Sequence, residues 1–207
     1  MTASNSDRPS PFGIHYDEKV YFFIEGANLY AVSRAVDLNI DYKRLLEHFQ
    51  NKSRFVRANY YTAIVEDQEF NSIRPLIDFL DYNGYRVVTK AAKEHTDSMG
   101  RRRVKGNVDV EMTVDMIEAA KHAEHIVLFS SDGDFVAAVD AVQRLGVRVT
   151  VVSDKTMCAD ELRRKADAFV DLNSVSALIG KPNEDRSATP RTVPTGTLRA
   201  RPSVATA

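Results

Sequence analysis

The run Val127-Leu128-Phe129-Ser130-Ser131-Asp132-Gly133-Asp134-Phe135 limits what this chain can fold into. An apolar strand ends abruptly in two carboxylates separated by one glycine. A helical pattern follows at once, with Phe135, Ala138, Val139, Val142 and Leu145 recurring at spacings of three and four. In an alternating α/β chain, ligands sit at the carboxyl ends of the strands. Asp132 and Asp134 are therefore expected at the mouth of a cleft.

The rest of the chain repeats the pattern. Val20-Tyr21-Phe22-Phe23-Ile24 is a continuous apolar run, as in a strand covered on both faces, and it ends in Glu25-Gly26-Ala27-Asn28 before a helix through Leu29, Val32 and Val36. Tyr42 to Phe49 reads as a helix capped by Asp41. Phe55 to Ile64 is a strand, Asp67 to Tyr82 a helix that Pro75 bends or starts, Gly84 its C′ residue, and Tyr85 to Thr89 a strand. Residues 90–107 form a long basic connection with room for a short hairpin. Val108 to Lys121 is a helix with Asn107 as candidate N-cap. Its core stripe holds Met112 and Met116, and at ~100° per residue Asp109 falls inside that stripe, while Glu111 and Asp115 lie together to one side. Strands Ile126–Ser130, Val147–Val152 and Ala168–Leu172 alternate with helices Asp134–Leu145 and Asp160–Ala166. The expected fold is α/β, with a mainly parallel central sheet and helices on both faces. Residues 1–17 read as a flexible arm, 18–178 as the folded domain, and 179–207 as a mildly basic, aperiodic tail.

Charge and cysteine content exclude several classes. Lys+Arg numbers 28 against Asp+Glu 29, so this is not a globally basic nucleic-acid binder. Cys158 is the only cysteine, which rules out an intrachain disulfide framework or a cysteine metal cluster and fits a cytoplasmic location. No signal peptide and no membrane-spanning run is expected. The five histidines are scattered and suggest no site.

Each acid has an ordinary structural reading: Glu25 as a strand end, Asp109 as a first-turn acid facing the helix dipole, Asp132 as a turn residue, Asp134 as an N-cap. Asn28 reads equally as an N-cap or a site residue. Together they read differently. Glu25, Asp109, Asp132 and Asp134 all approach one sheet edge, and like charges are tolerated together when a divalent cation neutralises them. The donors are all oxygens, which suits Mg²⁺ or Mn²⁺. Such an ion polarises a phosphodiester and acidifies a bound water. The basic connection 90–107 would then meet substrate phosphates.

Three segments carry a resemblance. Phe23-Ile24-Glu25-Gly26-Ala27-Asn28-Leu29-Tyr30, Val104-Lys105-Gly106-Asn107-Val108-Asp109-Val110 and Ser130-Ser131-Asp132-Gly133-Asp134-Phe135 together resemble the NYN domain family, close to its LabA-like branch. The likeness covers roughly residues 19–175. It implies a PIN-like nuclease fold with an acidic Mg²⁺ or Mn²⁺ site and ribonuclease activity. It places the catalytic acids at Glu25, Asp109, Asp132 and Asp134, with Glu25, Asp109 and Asp132 as metal ligands. The family's usual first acid is Asp, and its third motif usually has glycine where Ser131 stands. Substrate contacts are expected from Asn28, Arg101, Arg102, Arg103, Lys105 and Ser130. The expected partner is RNA, single-stranded or structured, with no membrane; a homodimer is compatible with the sequence. A non-catalytic RNA-binding module and a small-molecule phosphoryl-transfer enzyme are the competing functions.

Overall fold

The computed structural model describes residues 10–65, 73–96, 102–105 and 107–182, with only the backbone for 65, 93–96 and 102–105. Strand β1 (Lys19–Glu25) is the axis. It runs parallel to β2 (Arg54–Val65) on one side and to β5 (His125–Phe129) on the other. Parallel pairing continues outward to β3 (Tyr85–Thr96) beyond β2, and to β6 (Arg148–Ser153) and β7 (Ala168–Asp171) beyond β5. Strand β4 (Arg102–Lys105) closes the β3 edge as an antiparallel hairpin. The sheet order is β4-β3-β2-β1-β5-β6-β7, so the chain's direction of progress reverses at β1. The crevice between the carboxyl ends of β1 and β5 is the topological switch point of the sheet.

Helices α1 (Gly26–Ala35) and α2 (Tyr42–Lys52) link β1 to β2, and α3 (Arg74–Tyr82) leads into β3. Helix α4 (Asp109–Ala120) leads into β5. A 3-10 turn (Gly133–Phe135) runs into α5 (Val136–Arg144), and α6 (Asp160–Lys165) and α7 (Ser176–Ile179) follow β6 and β7. Side chains alternate across a strand, so β1 and β5 feed two cores. Phe22, Ile24, Val127 and Phe129 pack with Leu29, Val32, Leu45, Phe49 and Leu80. Phe23, Ile126 and Leu128 pack on the opposite face with Met112, Met116, Val139 and Leu162. Every residue of β5 is buried. Each such side chain contributes roughly 1.5–3 kcal/mol. Gly84 follows α3 with a positive φ of 90°, as its C′ position requires.

Several elements differ from the sequence reading. From Ser10 on, the N-terminal arm is folded: Phe12 and Ile14 are buried in the first core, and the Arg148 guanidinium donates to the Gly13 carbonyl. Two alternating apolar residues are too short a run to show periodicity. Helix α3 begins at Arg74, so Pro75 sits in its first turn, where the missing N–H costs nothing; the stretch 66–72 lies outside the described residues. Much of the basic connection continues as β3 and its hairpin with β4. His125 is fully buried, with Nδ1 3.2 Å from Glu18 Oε2 and Nε2 2.8 Å from Thr150 Oγ1. These bonds tie the start of β5 to the strands and loop around it. Among the described residues, no helix is long and apolar enough to cross a membrane.

Gly26 allows β1 to turn into α1. A Cβ there would lie 2.5 Å from Cζ of Tyr60, a ring that is 1 % exposed and packed edge-on against Tyr42. Gly26→Ala is expected to destabilise the fold by about 1–3 kcal/mol through overpacking, read as a lower midpoint in urea unfolding. An unchanged midpoint would show that the Tyr60 ring is free to move.

Candidate active site

Ile24 pairs with Phe129, so the next residues, Glu25 and Ser130, leave the sheet side by side. Glu25 ends β1 and occupies the N-cap position of α1 without a side-chain capping bond. Its Oε2 instead accepts a 2.6 Å hydrogen bond from Ser130 Oγ. The same hydroxyl accepts from the Asp132 backbone N–H at 3.0 Å. One turn into α1, Asn28 Oδ1 accepts from both the N–H and the hydroxyl of Ser131, at 3.0 and 2.9 Å. The β5 turn is thereby pinned to β1 and α1. Asp132 caps the 3-10 turn, its Oδ1 accepting from Asp134 N–H at 2.9 Å. The N-cap is thus Asp132, and Asp134 is the exposed acid beyond it.

Asp109 arrives from the other core. The Asn107 side chain accepts the Asp109 N–H at 2.7 Å, although Val108 holds the N-cap position itself. Two side-chain bridges fix the rotation of α4. Arg86 pairs with Asp115 at 2.6 Å, with the Tyr61 hydroxyl donating to the same carboxylate, and Lys90 pairs with Glu111 at 2.7 Å. Glu111 and Asp115 do share one side of the helix, facing β2 and β3. Lys90, expected among the phosphate contacts, is engaged in this brace.

The result is convergence. Carboxylate oxygens of Asp109, Asp132 and Asp134 all lie within 4.8 Å of one another. Two unit charges at that distance repel by roughly 3 kcal/mol at an effective dielectric of about 20. Burial pushes the Glu25 carboxyl up to about 7; Ser130's hydrogen bond opposes this, and the charges of Asp109 and Asp132 add to it. Burial also raises Asp109, with the Asn107 bond opposing and the Asp132, Asp134 and Glu111 charges adding. Among the described residues, no lysine, arginine or histidine forms an ion pair with these four acids. An all-carboxylate donor set with no counter-cation among the described side chains fits a hard divalent ion.

The structure therefore groups Asp109, Asp132 and Asp134, and sets Glu25 beside them through Ser130. Ser130 is 1 % exposed, with its hydroxyl donating to Glu25 and accepting from the Asp132 N–H, so it ties the two acids together. Asn28 acts likewise on Ser131. Arg101 lies outside the described residues. Arg102, Arg103 and Lys105 lie on β4, which leads toward Asp109, and their side chains are outside the description. A fifth carboxylate was not foreseen from the sequence. Glu161, in the first turn of α6, lies against Gly133, where an added Cβ would be 2.6 Å from its Oε1. No local motif signals it, because α6 and the Asp132 turn meet only in the folded chain.

A mainly parallel sheet with a carboxylate group at its switch point makes this an α/β domain with a candidate metal site, the architecture expected of a PIN-like domain. Comparison with known proteins gives the family: the model of the NYN domain matches residues 19–173, and the chain belongs to that family. It is 35 % identical over 167 residues to the "Low amplitude and bright protein LabA" of Synechococcus elongatus, covering 79 % of this chain and 88 % of that one. A crystal structure of a protein of unknown function from Vibrio parahaemolyticus superposes with a TM-score of 0.63 at 27 % identity, covering 76 % of this chain and 94 % of the other.

The Glu25 shift sets a pH dependence. A carboxyl raised from 4.5 to about 7 on folding binds its proton more tightly in the folded state. Its contribution to stability is therefore lost as pH rises through that window. His48 and His125, both lowered chiefly by burial, act in the opposite sense at lower pH. In chelator, the melting temperature of wild type relative to Glu25→Gln is expected to fall between about pH 5 and about pH 7.5, and Mn²⁺ is expected to restore it. Parallel curves for the two proteins would contradict the shift.

Proposed function

We propose that this protein is a divalent-metal-dependent ribonuclease that hydrolyses RNA phosphodiesters at the Asp109–Asp132–Asp134 group. The observation that carries this reading is the meeting of carboxylates from the start of α4 and the end of β5 within 4.8 Å, with no described cation against them. The family supports it, since NYN domains are generally nucleases of PIN-like fold. The name of the Synechococcus relative specifies no reaction.

Asp109, Asp132 and Asp134 would hold Mg²⁺ or Mn²⁺, and a bound ion of this kind acidifies a water and polarises the scissile phosphate. The remaining roles belong to the chain. Glu25, raised to about 7 chiefly by burial and further by the charges of Asp109 and Asp132, binds a proton more tightly than a free carboxyl, and a cation bound beside it would favour its ionised form. Ser130 fixes which Glu25 oxygen stays bonded and holds the Asp132 backbone in register. Asn28 keeps the Ser131 turn against α1, so that Asp132 and Asp134 open toward solvent together. Lys105 and the arginines of the 101–103 run would hold the RNA backbone near Asp109.

Asp132→Asn and Asp109→Asn are each expected to lower Mn²⁺-dependent cleavage of a labelled RNA by at least about 100-fold, the scale of losing an electrostatic contact to the transition state. Their circular dichroism is expected to match wild type, and chelator is expected to abolish wild-type cleavage. Equal cleavage by all three proteins would point to a contaminant and end the proposal. Salt-sensitive RNA binding without turnover under any metal would instead support the non-catalytic module.

A further inference from the structure

The first family segment ends on Tyr30, a residue the acid site leaves unused. Its ring is 64 % exposed on α1. It lines an open groove of about 890 Å³ bounded by the second half of α1, the start of α2 and the start of α3. Clefts of roughly 300–1,000 Å³ are the size that takes ligands. Phe79 of α3, 42 % exposed, lines the same groove, as does Leu76. Arg34, Lys43 and Lys181 also line it. Among the described residues Arg34 and Lys181 make no ion pair, and Lys43 has only a 4.0 Å contact with Glu47. Two acids also line the groove. Asp41 serves as the α2 cap, its Oδ1 accepting from the N–H groups of Lys43 and Arg44, and with Asp37 it sets two carboxylates against the three cations.

We propose that this groove binds single-stranded RNA on one side of the cleavage position, with bases stacked on Tyr30 and Phe79 and phosphates held by Arg34, Lys43 and Lys181. The proposal rests on the ribonuclease reading and adds a track to it. Aromatic faces exposed beside unpaired cations match the two surfaces of a single strand, its base planes and its phosphates. A duplex keeps its base faces stacked inside and offers the rings nothing. A purely apolar peptide would offer Arg34 and Lys181 no countercharge. The chain's own tail beyond Lys181 carries Arg186, Arg191, Arg199 and Arg201 against Glu184 and Asp185, so its charge is of the same sign as the groove's rim. Continuity with the acids is short: Tyr30 follows Glu25 by five residues of helix, about 7 Å along the axis at 1.5 Å per residue.

The test is fluorescence anisotropy of a labelled single-stranded oligouridylate on full-length Asp132→Asn protein with Mg²⁺, which separates binding from cleavage. Tyr30→Ala and Phe79→Ala are each expected to raise Kd at least about fivefold, the lower end of one lost base stack. Tyr30→Phe is expected to bind as the parent. Tyr82→Ala, which removes a ring 90 % exposed but outside the groove, is also expected to leave Kd unchanged. Arg34→Glu is expected to weaken binding and flatten its salt dependence. An abasic strand is expected to be insensitive to Tyr30→Ala. Circular dichroism checks that each variant folds. RNA binding unaltered by both ring deletions overturns the groove alone. Equal losses for Tyr82→Ala and Tyr30→Ala also overturn it. No RNA binding by either wild type or the parent variant overturns the ribonuclease reading and the groove with it.

Discussion

Repulsion among carboxylates at the switch point is the constraint on which the rest of this structure depends. Asp109, Asp132 and Asp134 stand within 4.8 Å, and the Glu25 carboxyl beside them is raised chiefly by burial, with the charges of Asp109 and Asp132 adding to it. Left to themselves, side chains of like charge would swing apart into water. Here the backbone that carries them is fixed by bonds that do not involve charge neutralisation. Asn107 takes the Asp109 N–H, Ser130 takes the Asp132 N–H, and Asn28 takes the N–H of Ser131. The fold thus spends stability on keeping the acids together, as expected where a cation is to be bound.

The topology makes this convergence possible. Only at β1 does the sheet order reverse, so only there do the following connections part and leave an open crevice. Glu25 and the β5 turn occupy that crevice by strand register. Asp109 needs more, because a helix start is free to rotate. The Arg86–Asp115–Tyr61 cluster and the Lys90–Glu111 pair supply the missing restraint from β2 and β3. The surface pairs contribute little energy individually. Their value lies in aiming the first turn of α4.

Most of the fold was legible because its signals are local and repeated. Continuous apolar runs at Val20–Ile24 and Val127–Phe129 marked strands buried on both faces, and three-and-four spacings marked the helices between them. The acids were legible for the same reason, since each follows a strand or opens a helix. What stayed hidden depends on contacts between distant segments. Phe12 and Ile14 join the core through two residues only, too few for a pattern. His125 is placed by Glu18 and Thr150, neither near it in sequence. The two bonds of Ser130, to Glu25 and to the Asp132 backbone, exist only once β1 and β5 are paired. Glu161 approaches Gly133 through the packing of α6 on the turn. Asp134 read as the N-cap and Asp132 as a turn residue, and the geometry gives the cap to Asp132.

The most direct measurement is anomalous diffraction from crystals soaked in Mn²⁺. The account predicts a peak bounded by the carboxylates of Asp109, Asp132 and Asp134, absent from crystals of Asp109→Asn soaked in the same way. A peak that persists in that variant, or Mn²⁺ bound only elsewhere while the three acids are bridged by a lysine or arginine, would contradict it.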